Sequence, residues 1–291
     1  MLEIRDLVKV YPGPVVALQG LQLSIPQGMF GLLGPNGSGK STLMRIITGL
    51  LEPTSGAVLM DGHNVTETPA YIWQRLGYLP QDFGFYPNLT GEMVLKHMLR
   101  LKGVEAPGGL NKLVASLLER VNLSYAARRK VKAYSGGMKQ RLGIAQAIAG
   151  NPELVIVDEP TAGLDPQERI RFYRLLSELA EERTVLLTTH IVEDVAVLCP
   201  QFAVMQQGEV LAQTSPSAAC AAIEGTIYEG QADQALLEKL TEAGLVTRAY
   251  LVEGRNRLRI HVKHDVVPDG FTAVAPTLED AYMLIQQGGA S

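Results

Sequence analysis

The sequence predicts an α/β fold with a parallel core sheet, because three short apolar runs each end in polar residues. These runs are MFGLLG (29–34), ELVIVDE (153–159) and TVLLTTH (184–190). Continuous apolar strands of this kind belong to sheets that are covered on both faces. A helix is predicted between the last two runs, with Asp165 as its N-cap and Pro166 at its first position. Strand, helix and strand in this order indicate parallel pairing, and such sheets bind ligands beyond the carboxyl ends of their strands.

Helical periodicity appears in two further places. From about residue 82 to 134, the stretches EMVLKHMLRL and NKLVASLLERV carry apolar residues at helical spacing, which predicts a helical insertion between strands. The helix that begins at Asp165 is predicted to bury one face, formed by Ile170, Tyr173, Leu176 and Leu179.

Beyond about residue 210 the pattern changes and predicts a small α+β unit. Its predicted elements are a strand at 226–229, a helix at 233–242, a hairpin at 249–262 and a last helix after Thr277. We therefore predict two domains, with these bounds: a larger domain at 1–215, its helical subdomain at about 82–150, and a C-terminal accessory domain at 222–291.

Composition narrows the classes of partner. The chain has 46% hydrophobic and 19% charged residues and a net charge of −4, so nucleic acid is disfavoured as its main ligand. Cys199 and Cys220 fit neither a disulfide framework nor a zinc spacing. The N-terminus is charged, and the uncharged stretch 10–39 is interrupted by prolines and glycines, so neither predicts a signal peptide or a membrane span. We expect a cytoplasmic protein whose membrane partner is another polypeptide.

The strongest motif is GPNGSGKST, which follows the first apolar run and opens a helix. Glycines allow backbone N–H groups to wrap a phosphate, the lysine reaches the β and γ oxygens, and the hydroxyl after it binds Mg²⁺. This phosphate-binding loop predicts ATP and Mg²⁺ as ligands. Its residues are Gly34, Pro35, Asn36, Gly37, Ser38, Gly39, Lys40, Ser41 and Thr42.

Five further residues are candidates for the nucleotide site. Asp158 and Glu159, at the end of the second run, suit the magnesium shell and a base that orients water. His190 can reach the γ-phosphate, Gln81 follows another short strand, and Tyr11 can stack on adenine. Each also has a purely structural reading: carboxylates capping a turn, a core histidine, a solvated glutamine and a packed tyrosine.

A second phosphate-seeking helix start, without a lysine, occurs in AYSGGMKQRLGIAQAIAG (133–150). Ser135 and two glycines precede apolar positions at helical spacing, and free N–H groups at a helix start attract anions. The loop at 34–42 already provides a phosphate site. The residues by themselves do not explain why one chain carries a second one.

Taken in order, the motifs resemble those of the ATP-binding subunit of an ATP-binding-cassette (ABC) transporter, over residues 1 to about 210. They are Tyr11 (aromatic loop), 34–42 (Walker A), Gln81 (Q-loop), Ser135, Gly136 and Gly137 (signature), Asp158 and Glu159 (Walker B), AGLDP with Asp165 (D-loop) and His190 (switch). The resemblance implies a P-loop NTPase fold with antiparallel N-terminal strands added to the parallel sheet.

The resemblance also implies the assembly. Two such subunits close head-to-tail over two ATP molecules, so that the signature of one chain serves the ATP on the Walker A loop of the other. It implies Lys40, Glu159 and His190 as catalytic residues, and Ser41, Gln81 and Asp158 as the residues around Mg²⁺. The partner is expected to be a second copy.

The signature departs from the usual leucine-serine-glycine-glycine-glutamine, because Tyr134 and Met138 replace the leucine and the glutamine. SGGMKQRLGIAQA and TLEDAYMLI resemble the subgroup whose separate permease exports drugs, antibiotics, lipids or polysaccharides. The loop DFGFYPNLT (82–90) is either a satellite aromatic cluster or an exposed patch on which a permease helix docks.

We therefore predict an ATPase that energises transport, with a lean to export, by a separate transmembrane permease at the inner face of the membrane. A soluble ABC ATPase acting on ribosomes, DNA or iron–sulfur assembly is the alternative. Such proteins usually carry paired cassettes or a long coiled-coil insertion. This sequence shows a single cassette, and the interval from Lys40 to Ser135 leaves no room for a coiled coil. A small-molecule P-loop kinase does not explain the signature loop.

Overall fold

The computed structural model describes residues 1–13, 15–161, 163–263 and 266–288. The strands in this part of the chain are β1 (Leu2–Tyr11), β2 (Val15–Ile25), β3 (Gly28–Leu33), β4 (Ser55–Met60), β5 (His63–Asn64), β6 (Leu76–Leu79), β7 (Leu154–Asp158), β8 (Thr184–Thr189), β9 (Gln201–Gln206), β10 (Glu209–Thr214), β11 (Ile227–Ala232), β12 (Val246–Val252), β13 (Arg255–His261) and β14 (Thr272–Ala273).

The α-helices of the same residues follow the chain in this order: α1 (Lys40–Ile47), α2 (Pro69–Trp73), α3 (Gly91–Leu101), α4 (Leu110–Arg120), α5 (Gly136–Ala147), α6 (Pro166–Ala180), α7 (Val192–Leu198), α8 (Pro216–Ala221), α9 (Gln234–Glu242) and α10 (Leu278–Gln286). None of these helices has both the length and the apolar character that crossing a bilayer requires.

A six-stranded sheet forms the centre of the fold, with strand order β10-β9-β3-β8-β7-β6. All strands except the edge strand β10 run parallel to their neighbours. The three apolar runs are β3, β7 and β8, which lie side by side, and every residue of β7 and β8 is buried. The predicted parallel core is confirmed, and the polar residues that end the three runs meet at one edge.

An antiparallel sheet, β2-β1-β4-β5, covers the other side of α1. Leu43, Met44 and Ile47 of α1 are fully buried, in one apolar cluster with residues of both sheets. This sandwich fixes where α1 begins, immediately after the phosphate-binding loop. The antiparallel N-terminal strands that the family resemblance implied are therefore confirmed.

The helical insertion is present as α3 and α4, with α5 leading back to the core. The predicted face of α6 is wrong in one residue, since Ile170 is 53% exposed whereas Leu176 and Leu179 are fully buried. Phe172 takes its place in the core. At 100° per residue, Ile170 points about 180° away from Leu179, so the two cannot share a face.

The C-terminal residues form the sheet β12-β13-β11-β14, with α9 packed against it. The chain then returns, and α10 packs on α7 and β9 of the larger domain and on α8, which lies between the two predicted domains. Arg259 of β13 donates hydrogen bonds to the fully buried Asp280 of α10, so a buried ion pair joins this helix to the sheet. The domain bounds at 1–215 and 222–291 stay a prediction.

Candidate active site

The phosphate-binding loop connects β3 to α1 at the carboxyl edge of the central sheet. Gly37 and Gly39 have φ angles of 81° and 103°, a left-handed backbone that favours glycine. A side chain at Gly34 would overlap the backbone carbonyl of Met205, so the loop is held against β9. The Ser38 hydroxyl is buried and has no hydrogen-bond partner among the described residues, which fits a ligand in the loop.

Lys40 lies at the start of α1 with its side chain turned back into the loop. Its Nζ donates to the carbonyls of Gly34, at 2.6 Å, and Pro35, at 3.1 Å. Burial lowers the pKa of the Lys40 ammonium, although the negative charges of Glu159 and Asp158 oppose that shift. The loop therefore holds a desolvated cation, which interacts strongly with phosphate oxygens.

Asp158 and Glu159 end β7 and face different partners. Asp158 accepts a hydrogen bond from the Thr188 hydroxyl of the neighbouring β8. Burial raises the pKa of the Asp158 carboxyl, helped by the charge of Glu159 and opposed by Thr188 and Lys40. A buried carboxylate with a raised pKa is suited to a site in which the ligand supplies a cation beside it.

Glu159 is the centre of a small hydrogen-bonded group. Its φ of 47° turns the backbone sharply after β7, and its side chain is 7% exposed. One carboxylate oxygen accepts from Gln81 Nε2 at 3.0 Å, and the other lies 3.1 Å from His190 Nδ1. Gln81 and Glu159 line the same cavity as residues 36–42 of the loop. The structure thus brings together the Q-loop, Walker B and switch candidates.

The aromatic candidate, Tyr11, lies at the rim of this cavity, with its hydroxyl 3.4 Å from the Thr42 hydroxyl. The sequence analysis did not find Val15 and Val16, which line the cavity and are 59% and 48% exposed. These two exposed β-branched residues form an apolar wall of the cavity beside the phosphate loop. Their signal in the sequence is VVAL, an apolar run that follows Pro-Gly-Pro.

The signature residues lie outside this cavity. Ser135 caps α5 by accepting from the Met138 N–H at 3.2 Å, and both Ser135 and Gly136 are exposed. Gly137 is buried against Glu168, whose carboxylate would be 2.5 Å from a side chain there. None of the three lines the cavity of the Walker A loop.

Asp165 is likewise separate from that cavity. Its carboxylate accepts from the Glu168 N–H at 2.9 Å and caps α6, as predicted. Ala162 of the AGLDP motif lies outside the described residues. Since Glu168 also pairs with Arg141 of α5 at 3.2 Å, the D-loop helix and the signature helix are joined by a buried ion pair.

A buried carboxylate that sequence reasoning missed lies behind the switch residue. Asp194 is fully buried and accepts hydrogen bonds from Thr161, Thr189, Arg169 and Tyr173. Thr161 belongs to the segment before the D-loop, and Thr189 precedes His190. Asp194 therefore ties the two loops to each other.

The loop at 82–90 contains both packed and exposed aromatic residues. Phe83 and Phe85 contact each other edge to face and pack against the core. Tyr86 is 63% exposed and, with residues of α3, forms an apolar groove. This groove is lined by Tyr86, Pro87, Asn88, Leu89, Met93 and His97.

Comparisons with known proteins agree with this geometry. A family model described as ABC transporter matches residues 18–162. The linearmycin resistance ATP-binding protein LnrL of Bacillus subtilis (strain 168) is 37% identical over 227 residues, which cover 77% of this chain and 72% of that protein. The Nod factor export ATP-binding protein I of Burkholderia orbicola (strain AU 1054) is 38% identical over 219 residues, covering 75% and 71%.

A solved structure resembles the chain as well. It is the dimeric post-hydrolysis state of the ATP-binding cassette MJ0796 bound to ADP and Pi, with a TM-score of 0.66 and 28% sequence identity. The match covers 74% of this chain and 98% of that one.

Proposed function

Because the chain belongs to the ABC transporter family and is one of its ATPases, we propose that it drives export by a separate transmembrane permease. The observation that carries this proposal is the arrangement of the Gln81–Glu159–His190 group. Gln81 of this group lines both the cavity of the phosphate loop and a second pocket, and that second pocket shares Pro87 with the groove. A hydrolytic centre that contacts a possible docking surface is what coupled transport needs.

The residues support hydrolysis by in-line attack of a water on the γ-phosphate. Glu159 orients the water and accepts its proton. His190, which lies beside one oxygen of the Glu159 carboxylate, holds the γ-phosphate. Lys40 neutralises charge on the β and γ oxygens. Burial of Glu159 and Lys40 strengthens each of these interactions, because the local dielectric is low.

Mg²⁺ fits the donor set of this chain. The hydroxyl of Ser41, the carboxylate of Asp158 and the amide oxygen of Gln81 are oxygen ligands, which Mg²⁺ prefers together with water and phosphate oxygens. Gln81 uses its Nε2 towards Glu159, which leaves its oxygen for a cation. The described residues contain no cluster that would hold a metal alone. When bound, Mg²⁺ neutralises charge on the phosphates.

We further propose that the active form is a homodimer with two shared ATP sites. The exposed Ser135 and Gly136 at the start of α5 support this, because they lie outside the cavity of their own chain. Contact with the ATP of a second copy gives these N–H groups a ligand.

The groove supports docking of a permease segment, which would place the chain at the inner face of the membrane. Tyr86 and Met93 present exposed apolar surface, 63% and 51%, a few residues from Gln81. The competing role, an ABC ATPase acting on ribosomes, DNA or iron–sulfur assembly, has no comparable support. Only the two 11-residue helices α3 and α4 fill the insertion, and the net charge is −4.

Co-purification tests the proposal. The full chain is captured from membranes of its own organism, beside a Met93→Asp variant and a Leu251→Asp control that alters a still more exposed apolar residue of β12. We expect the wild type and the control to retain a polypeptide with about six apolar spans, and Met93→Asp to lose it while still binding ATP. Recovery of ribosomal or DNA-bound proteins instead would contradict the proposal.

A further inference from the structure

We infer that Tyr134, which replaces the usual leucine of the signature, is a positioning residue that locks Ser135 to the wall of the groove. Through this lock the groove sets where the signature serine stands against the ATP of the partner subunit. The inference rests on the proposed shared site and adds a residue to it.

Tyr134 is buried between the signature and the insertion. Its side chain is 5% exposed, and its hydroxyl donates to the carbonyl of Ala126 at 2.8 Å. The ring lies directly on Gly91, the first residue of α3. A methyl group on Gly91 would overlap the Tyr134 hydroxyl and lie 3.0 Å from its Cζ.

Backbone pairing extends this contact over the loop that lines the groove. The N–H groups of Val131 and Lys132 donate to the carbonyls of Leu89 and Pro87, both at 2.9 Å. In the other direction, Glu92 N–H donates to the carbonyl of Ala127 at 2.9 Å. Residues 87–92 and 127–132 thus form a short antiparallel pair.

Both ends of this antiparallel pair continue directly into the elements that it connects. On one side α3 starts at Gly91 and carries Met93 and His97 into the groove. On the other side Tyr134 is followed at once by Ser135, the N-cap of α5. A displacement of the start of α3 therefore moves the Tyr134 ring, and the ring moves the signature serine, since close-packed groups transmit small shifts.

Tyr134 is one of the two positions, with Met138, at which this chain departs from the usual signature. A leucine at position 134 has no hydroxyl with which to reach Ala126, and it is too short to press on Gly91. Tyr134 and Gly91 are complementary in size, because the large side chain of Tyr134 packs where Gly91 has no side chain. A variant that spoils the match and a second variant that restores it can therefore test the lock.

The test uses Gly91→Ala, whose helical backbone accepts alanine, so the clash with Tyr134 is its main effect. Gly108→Ala is the matched control, because a methyl there meets only the Lys112 side chain, at 3.5 Å. Both are introduced into mixed dimers of a Lys40→Ala chain and a Ser135→Arg chain. In these dimers the one intact site uses the signature of the Lys40→Ala chain.

Gly91→Ala on the Lys40→Ala chain should lower the ATPase rate about tenfold, as expected for a reacting group misplaced by a fraction of an ångström. The same change on the Ser135→Arg chain should leave the rate within about twofold, because that signature is already blocked. Adding Tyr134→Leu to the Gly91→Ala chain should restore most of the rate. Gly108→Ala should have no effect on either chain.

Equal losses from both chains, or no rescue by Tyr134→Leu, would overturn the inference while leaving the shared site intact. Mixed dimers that form but never hydrolyse ATP would instead contradict the proposed shared site. In that case the same substitutions are measured in homodimers, which test the role of Tyr134 by itself. Gly91→Ala should lower turnover without weakening ATP affinity, and Tyr134→Leu should restore it; a failure of either result rejects the positioning role.

Discussion

The starts of α1 and α5 are both glycine-lined helix ends, yet the structure treats them in opposite ways. At α1 the loop encloses a buried lysine, which already has two carbonyl partners, and the side chains of Gln81 and Glu159 close the same cavity. At α5 Ser135 and Gly136 are exposed, and only the Met138 N–H uses the serine hydroxyl.

The difference supports the proposal that one chain supplies two different halves of a site, which a second chain completes. A helix start with free N–H groups and no cation attracts an anion but does not hold one strongly alone. The α1 loop has the cation and the carboxylates, whereas Ser135 and Gly136 of the same chain do not line its cavity. Each start supplies what the other lacks, so the comparison predicts that two chains complete each other.

The largest expected effect concerns the carboxylate on the α1 side. Glu159→Gln keeps the shape and the hydrogen bonds to Gln81 but removes the base, so ATP hydrolysis should fall by roughly two orders of magnitude or more. ATP binding should persist, and the closed dimer should accumulate, which light scattering measures. Glu153→Gln, at the opposite end of β7 and exposed, is the control. Near-normal turnover in Glu159→Gln would remove this residue from the mechanism.

The next effect is on stability and concerns the link behind the switch residue. Asp194→Ala leaves the Arg169 guanidinium without its buried partner, so the free energy of unfolding should fall by about 3 kcal/mol. The neighbouring Glu193 also pairs with Arg169 but is 68% exposed, and Glu193→Ala should cost under about 1 kcal/mol. Urea unfolding of both variants measures the difference. Similar losses would show that the Asp194 network does not carry the stability assigned to it.

A smaller effect follows from the raised pKa of Asp158. A carboxyl whose pKa is raised on folding stabilises the folded state when protonated, and this contribution is lost as the pH rises through the raised pKa. At neutral pH the charge is therefore unfavourable in the absence of nucleotide. Asp158→Asn should raise the melting temperature by roughly 2 °C at pH 7. Scans from pH 7 down toward the usual carboxyl range should show the gain shrinking toward acid, and a constant or negative difference would contradict this reading.

The smallest expected effect is on nucleotide affinity after removal of 222–291. All residues of the α1 cavity lie before this segment, so the affinity for ATP should change by less than about twofold. The melting temperature should fall, because α10 covers apolar surface of α7 and β9. Titration of the folded truncation with a fluorescent ATP analogue measures the affinity. A tenfold loss would show that the tail helps to build the site.

The two helix starts also show how far local sequence reaches. The apolar strands, the glycine loop and the N-caps at Ser135 and Asp165 are encoded within a few neighbouring residues, and these parts were predicted. The Asp194 network was not, because its donors come from distant segments. Ile170 is apolar but exposed, because it lies about 180° around α6 from Leu179, and an apolar residue type alone does not fix the face of a helix.

The central claim is that Ser135 serves the ATP of the partner subunit, and mixing two inactive variants tests it most directly. Lys40→Ala disables the phosphate loop and Ser135→Arg blocks the signature, so each homodimer has two defective sites. In a mixed dimer one site collects both defects and the other is intact. Once ATP-dependent mixed dimers are shown to form, the account predicts that ATPase activity returns, up to about half of wild type per dimer. Activity that stays at the level of the separate variants would contradict it.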